Sequence, residues 1–272
     1  MAARGFARDA TLGDSMIVRL TGGLGNTLFQ YAFGRGVAAK TGRQLGFCWQ
    51  RATRDYVLDR YVDALLVHPD VVSGPVYNER AMTFDPEVYH PAATSHYFCG
   101  YWQTLRYFED IADQIRNEIQ PRFAIDREWL ITAENLAAKN SVFIHVRRGD
   151  YLKETNIAAH GLTTIDYYNA ALALMDMLHP GCEFYAFSDD KEWCCKNMQG
   201  VTVLNTPNAD IDLYLMRHCR HAILANSTFG WWAAFLGADS AGGSVFAPKK
   251  WFGPANQHLD TRDLLPARWL TL

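Results

Sequence analysis

The chain has 272 residues, 49% of them hydrophobic and 20% charged, with a formal net charge of −3. That length suits one or two domains with a sizeable core. The slight acidity gives no general attraction to nucleic acid or to an anionic membrane. No stretch reaches the roughly 18 uninterrupted apolar residues of a spanning helix, and the six cysteines show neither C-x-x-C nor zinc-type spacing, so they read as reduced, mostly buried thiols.

Residues 1–15 carry no apolar run of signal-peptide length and read as a disordered leader, with Met16 opening the fold. Met16 to Leu20 is a compact strand, Thr21 to Asn26 (TGGLGN) a glycine-rich turn, and Thr27 to Lys40 a helix stopped by Gly42. Strand, glycine turn and helix together form a backbone-lined phosphate or sugar site, with Gly23 and Gly25 in the turn. The dinucleotide fingerprint is incomplete. Leu28 stands where its third glycine belongs and no acid follows near Gln44 to Gly46, which disfavours a nicotinamide oxidoreductase. Asn26 is a helix N-cap, an amide aimed into a cleft, or both.

Gln44 to Trp49 reads as a second strand. From Arg51 to Phe98 the pattern is weak and punctuated by Pro69, Pro75, Pro86 and Pro91, which predicts loops and short elements. Gly100-Tyr101-Trp102-Gln103 precedes a helix whose buried stripe is Leu105, Phe108, Ile111, Ile115 and Ile119, closed by Pro121. An aromatic pair with an amide there is a sugar-stacking platform or part of the core. A second helix, capped by Asp126, runs to about Lys139. The expected organisation is a leader over 1–15, an N-terminal acceptor-side domain over 16–130 and a C-terminal nucleotide-sugar domain over 131–272.

The second half alternates strand and helix, the signature of a parallel, doubly wound α/β sheet. Its strands are Ser141 to Val146, Glu183 to Phe187, Val201 to Leu204, His221 to Ala225 and Val245 to Ala247. Its helices are Tyr167 to Leu178, Lys191 to Met198, Asp210 to Cys219 and Phe229 to Leu236. Three strand ends fall on one edge, where open α/β sheets bind ligands. After Val146 come Arg147 and Arg148, whose planar guanidiniums suit bidentate contact with phosphate. Gly149 permits close backbone approach, and Asp150 orients an arginine or takes part in chemistry. After Phe187 come Ser188, Asp189 and Asp190, carboxylates able to accept from a guanine edge or to cap a helix. After Ala225 come Asn226, Ser227 and Thr228 at a helix start, which offers free N–H groups and a favourable dipole to an anion. His145 alternates with the apolar face of its strand and is read as pointing toward the cleft. Asp210-Ile211-Asp212 matches a metal–diphosphate pattern, but at a helix start it reads as capping, since the arginines supply the charge that a metal would.

Five motifs occur together and in order: Gly22-Gly23-Leu24-Gly25-Asn26, Gly100-Tyr101-Trp102-Gln103, His145-Val146-Arg147-Arg148-Gly149-Asp150, Phe187-Ser188-Asp189-Asp190 and Asn226-Ser227-Thr228-Phe229-Gly230-Trp231-Trp232. Over roughly Met16 to Trp251 the chain closely resembles the α-1,2-fucosyltransferases, inverting enzymes that use GDP-fucose on a two-domain fold of GT-B type. The resemblance implies transfer of L-fucose to the 2-hydroxyl of a terminal galactose in an oligosaccharide or glycolipid. It implies that Arg147 and Arg148 engage the diphosphate, that His145 and an aspartate of 188–190 read guanine, and that Ser227 and Thr228 hold phosphate. Asn26 is implied near the transferred sugar. Arg147, Asn26 and Asp150 are the expected catalytic residues, and Tyr101, Trp102 and Gln103 the expected acceptor residues. No metal or other cofactor is expected. Thr27 departs from the glutamine usual in the family. The family's eukaryotic members carry a membrane anchor that has no counterpart here, so the expectation is a bacterial-type cytoplasmic form, with peripheral membrane association left open. The alternatives are another GDP-sugar-dependent fucosyl linkage and a non-catalytic sugar- or nucleotide-sugar-binding protein.

Overall fold

The structure is a computed structural model and describes residues 15–49, 55–69, 74–90 and 97–272. The leader expected over 1–15 lies, apart from Ser15, outside those residues, as does Pro91. The chain divides into two compact units, one of residues up to Phe123 with Asp260–Pro266, the other of Ala124–Leu259 with Ala267–Leu272. Each holds one all-parallel sheet covered by helices, so the class is the doubly wound α/β one expected.

In the first unit, β1 (Met16–Leu20) leads into α1 (Leu24–Thr41) and β2 (Leu45–Trp49). Two strands that the sequence pattern did not reveal follow, β3 (Val76–Asn78) and β4 (Tyr97–Cys99). The sheet order is β2-β1-β4-β3, so three-residue β4 lies beside β1 at the point where the strand order reverses. Eleven of the eighteen residues of α1 are buried, which explains its weak amphipathic pattern. Phe33 stacks on Trp102 at 4.1 Å and 7°, and Phe29 meets Phe108 edge-on.

The helix expected over 105–119 is broken instead. Two 3-10 turns, Leu105–Tyr107 and Glu109–Ile111, precede α2 (Ala112–Glu118). The break falls at Phe108, whose backbone (φ −134°, ψ 17°) is not helical and whose ring is buried against Phe29. Tertiary packing has overridden the periodicity. The returning segment 260–266 is held by Asp263, which accepts the Phe84 N–H at 2.8 Å and pairs with Arg106 at 3.2 Å.

The second unit begins with α3 (Arg127–Ala138) and β5 (Ser141–Val146). Then come α4 (Glu154–His160), which periodicity did not predict, and α5 (Ile165–Leu178). The alternation continues through β6 (Glu183–Ser188), α6 (Lys191–Asn197), β7 (Val201–Val203), α7 (Ala209–Met216), β8 (His221–Ile223), α8 (Thr228–Leu236) and β9 (Val245–Ala247). A short β10 (Leu270–Thr271) ends the chain's strands. The sheet order is β10-β9-β8-β5-β6-β7. From β5 the chain moves outward through β6 and β7, then returns to the other side with β8. The crevice beyond the carboxyl ends of β5 and β8 is therefore the topological switch point, where ligands bind in such sheets.

All six residues of β5 are buried, as a strand covered on both faces requires. Val142, Ile144 and Val146 pack with Tyr168, Ala171 and Met175 of α5 and with Cys194 of α6. On the opposite face lies α8, with Trp231, Trp232 and Phe235 fully buried.

Candidate active site

In the first unit the two strand ends that meet at the order reversal carry two of the motifs. Gly23 is the N-cap of α1, so Asn26 sits inside the first turn and is not the cap; its N–H bonds the Gly23 carbonyl at 3.0 Å. The Asn26 side chain accepts from Gln103 Nε2 at 3.0 Å. Gln30, fully buried one turn further on, ties the same two strand ends. Its amide donates to the Gly100 carbonyl and accepts the Thr21 N–H, each at 2.9 Å. Thr27, where the resemblance implies glutamine, turns its hydroxyl back onto the Leu24 carbonyl at 2.9 Å and is buried. Tyr101 is 44% exposed, whereas Trp102 is fully buried and Gln103 nearly so. Trp102 is therefore core and not an acceptor platform, a correction to the sequence expectation.

In the second unit the carboxyl end of β5 carries a compact charged cluster. Arg147 Nη2 meets Asp150 Oδ1 at 2.5 Å, while its Nη1 meets Asp189 Oδ2 at 2.6 Å. Arg148 donates its backbone N–H to Asp189 Oδ1 at 2.9 Å and its Nε to Asp190 Oδ2 at 3.0 Å. Its guanidinium lies 4.2 Å from the centre of the Trp193 ring. Gly149 is what lets Asp189 in, because a Cβ there would fall 2.7 Å from Asp189 Oδ2.

These contacts correct the expected guanine-reading role of Ser188, Asp189 and Asp190. Both carboxylates are given to the arginines. Asp190 also caps α6 by accepting the Trp193 N–H at 3.1 Å, and Ser188 is buried, its hydroxyl accepting the Asp190 N–H. Asp150 is likewise placed as an orienter of Arg147.

At the neighbouring strand end, Asn226 spends its amide inside the fold. Its Nδ2 donates to the His160 and Trp251 carbonyls at 2.6 and 3.0 Å, and its Oδ1 accepts from Thr163. These bonds lock loops, where the sequence reading expected a contact to the nucleotide sugar. Ser227 is the N-cap of α8 without spending its hydroxyl on the helix. The N-terminus of α8, with the positive end of its dipole, lies at that edge.

His145 is 6% exposed, and its Nδ1 has no hydrogen-bond partner among the described residues. It lies against Gly230, where a Cβ would come within 2.7 Å of Nδ1. Burial first, then the Arg147 charge, pushes its pKa down to about 4, with Asp189 opposing. The ring is neutral at pH 7.

One acid was read only as a helix start. Asn208, not an aspartate, caps α7 by accepting the Asp210 and Ile211 N–H groups. Asp212, one residue on, takes a hydrogen bond from the Thr206 hydroxyl, and burial pushes its carboxyl up to about 6. Lys191 and Asp189 are its charged neighbours. The D-x-D pattern gave the right element but hid this enclosed carboxyl.

The family model for glycosyl transferase family 11 matches residues 76–269. The chain belongs to that family. An Escherichia coli protein named alpha-1,2-colitosyltransferase is 27% identical over 94% of this chain and 98% of its own length. The Escherichia coli O-antigen biosynthesis glycosyltransferase WbnK is 31% identical, over 61% of this chain and 59% of its own. Bos taurus galactoside 2-alpha-L-fucosyltransferase SEC1 is 26% identical over 88% and 68%. Among solved structures, the fucosyltransferase NodZ from Bradyrhizobium superposes with a TM-score of 0.50 at 14% identity, covering 83% of this chain and 94% of that one. That likeness concerns the fold alone and agrees with the GT-B type. Among the described residues no helix is long and apolar enough to cross a membrane.

For this glycosyltransferase, the His145 environment has a measurable consequence. Its folded pKa lies below that of the unfolded chain, near 6.5, so the unfolded state binds more protons at acid pH. Stability is unaffected above about pH 7 and falls as pH drops from about 6.5 through 4, by about 2 to 3 kcal/mol for this one ring. Urea unfolding at pH 7 and pH 4.5 should show a smaller pH-dependent loss in His145→Asn than in the wild type. Equal losses would place the proton uptake elsewhere.

Proposed function

We propose that this chain transfers L-fucose from GDP-fucose to the 2-hydroxyl of a terminal galactose in a glycan or glycolipid, with inversion at the anomeric carbon. The observation that carries this reading is the arginine pair at the switch point of the second unit, at the strand end next to the N-terminus of α8. The leaving group is a nucleoside diphosphate, and its departure puts charge on the β-phosphate. Arg147 and Arg148 neutralise that charge, and the α8 N–H groups with Ser227 and Thr228 receive the phosphate oxygens. The acceptor hydroxyl attacks from the opposite face. Its proton goes to the departing phosphate or to a carboxylate, and Asp150 serves as the orienter of Arg147. Tyr101 and Gln103 of the first unit take the acceptor, and Asn26 the transferred sugar.

Arg147→Lys retains charge but not the fork that touches Asp150, Asp189 and two phosphate oxygens. Turnover should fall by about 10²- to 10³-fold, as for loss of one preorganised donor. Near wild-type rate and GDP affinity in that variant would remove Arg147 from the site.

With Asp189 and Asp190 held by arginines, the carboxyl left to read the base is Asp212. Guanine presents N1–H and a 2-amino group, two donors that adenine lacks. A site built on such bonds rejects the analogue by factors up to about 10⁴. Calorimetric titration should show GDP binding far more tightly than ADP, with the preference lost in Asp212→Asn. A preference that survives this substitution would move the base reader to His145.

Transfer should also proceed without a divalent metal. In the proposed reaction the guanidiniums carry the part that a cation would play. Activity abolished by EDTA and restored by manganese or magnesium would contradict this.

A second donor deserves the same assay. The colitosyltransferase relative matches nearly the whole chain, and colitose is fucose without its 3-hydroxyl. Competition between the two GDP-sugars identifies the donor.

A further inference from the structure

We propose that Glu79 is a positioning residue for the transfer reaction, fixing the loop Gly100–Gln103 so that Gln103 holds Asn26 in its working orientation. This rests on the reading that Gln103 takes the acceptor and Asn26 the transferred sugar.

Glu79 follows β3 and continues its pairing with β4, its N–H donating to the Cys99 carbonyl at 2.8 Å. Its side chain then reaches past the end of β4. Oε2 accepts the Tyr101 N–H at 2.7 Å and Oε1 the Trp102 N–H at 2.9 Å. Two successive backbone N–H groups converge on one carboxylate only where the chain bends sharply. Trp102 supplies that bend with φ 56°, the one positive φ at a non-glycine residue among those described. For a bulky residue this is strained backbone, which persists only where its surroundings enforce it. Glu79 enforces it from the N–H side. Phe33 enforces it from the ring side, stacked on a fully buried indole. Gly100 makes room, since a Cβ there would sit 2.4 Å from Glu79 Cβ and 2.8 Å from Oε2.

The bend has a direct consequence for the motif residues. It delivers the Gln103 amide to Asn26, while Gln30 grips the Gly100 carbonyl from the other side. With Gln103 Nε2 donating to Asn26 Oδ1, the flip of the Asn26 amide is set and its Nδ2 is turned toward Gly22. Among the described residues Glu79 pairs with no cation, and burial pushes its carboxyl up while the two N–H bonds draw it down. A half-buried acid without a cation is a poor packing choice. Two acceptors on one rigid arm are, however, what this loop needs. No residue pattern marked Glu79 as part of the site, because it lies more than 20 residues before the loop it holds.

The test uses the whole chain. Glu79→Gln keeps the size but offers one acceptor and one donor, so it repels one of the two N–H groups; Glu79→Asp keeps both acceptors on a shorter arm. Glu79→Gln should melt within a few degrees of wild type and bind GDP within about twofold, yet lose at least about tenfold in kcat/KM for the acceptor with the donor KM unchanged. Glu79→Asp should recover part of that loss. In a Gln103→Ala background the loss on adding Glu79→Gln should shrink to about twofold or less, because Glu79 acts through Gln103. The side-chain amide resonances of Asn26 and Gln103 should shift in Glu79→Gln without any substrate. Wild-type kinetics in Glu79→Gln, equal losses in both backgrounds, or unmoved amide resonances would each overturn the proposal. Should Glu79→Gln melt early, the cycle with Glu79→Asp decides in the same way. A wild-type chain inert toward every GDP-sugar would instead count against the proposed reaction, while the amide resonances still judge Glu79.

Discussion

Arg147 is gripped from two sides at once, by Asp150 three residues on and by Asp189 at the end of the neighbouring strand. Much of the second unit's ligand edge depends on that clamp. It requires Gly149, where a side chain would collide with Asp189. It leaves Asp190 for Arg148 and the cap of α6, and its Arg147 charge adds to burial in keeping His145 uncharged, with Asp189 opposing. The ion pairs are half-exposed, and such pairs are worth only about 0 to 1 kcal/mol in stability. Their effect is geometric. A guanidinium already held in one orientation loses less freedom when a phosphate arrives, and preorganised charge is what stabilises a leaving group. Two arginines against three carboxylates leave the cluster without excess positive charge, so in the proposed reaction the arginines act on the β-phosphate through the placement of their N–H groups.

The parts of the chain legible from sequence were those whose signal is local. Strand, turn and helix alternate cleanly from Ser141 onward, and β5, α6 and β9 fall within a residue or so of their expected bounds. The Gly-rich turn after β1 and the arginine pair after β5 lie where the motifs put them. What escaped was decided by distant contacts. The strand β4 has three residues and no periodicity, and exists because β1 and β3 pair with it on either side. The helix over 105–119 was broken by a buried Phe108. Trp102 carries a residue type suited to an acceptor platform and Asn226 one suited to the nucleotide-sugar side, yet the fold buries the first and hydrogen-bonds the second internally. Asp189 and Asp190 were read as facing a base because sequence shows which strand end bears a carboxylate, not which cation is already beside it.

Under the proposed reaction the two units would meet different binding problems with different chemistry. A departing diphosphate needs charge, and the second unit supplies guanidiniums, a helix dipole and hydroxyls. A neutral sugar needs directional hydrogen bonds, and the first unit offers amides on a backbone held by other amides: Gln30 across Thr21 and Gly100, Gln103 onto Asn26. Amides present donors and acceptors without the desolvation cost of an ion, but their value depends on which way each one is flipped. That makes the first unit sensitive to second-tier geometry in a way the arginine site is not. A guanidinium donates from every edge, whereas an asparagine turned by half a rotation offers a donor where an acceptor is required. Glu79, the half-buried acid at this amide network, would on the proposal above act on backbone conformation rather than on charge, with the positive φ at Trp102 as the mark it leaves on the chain.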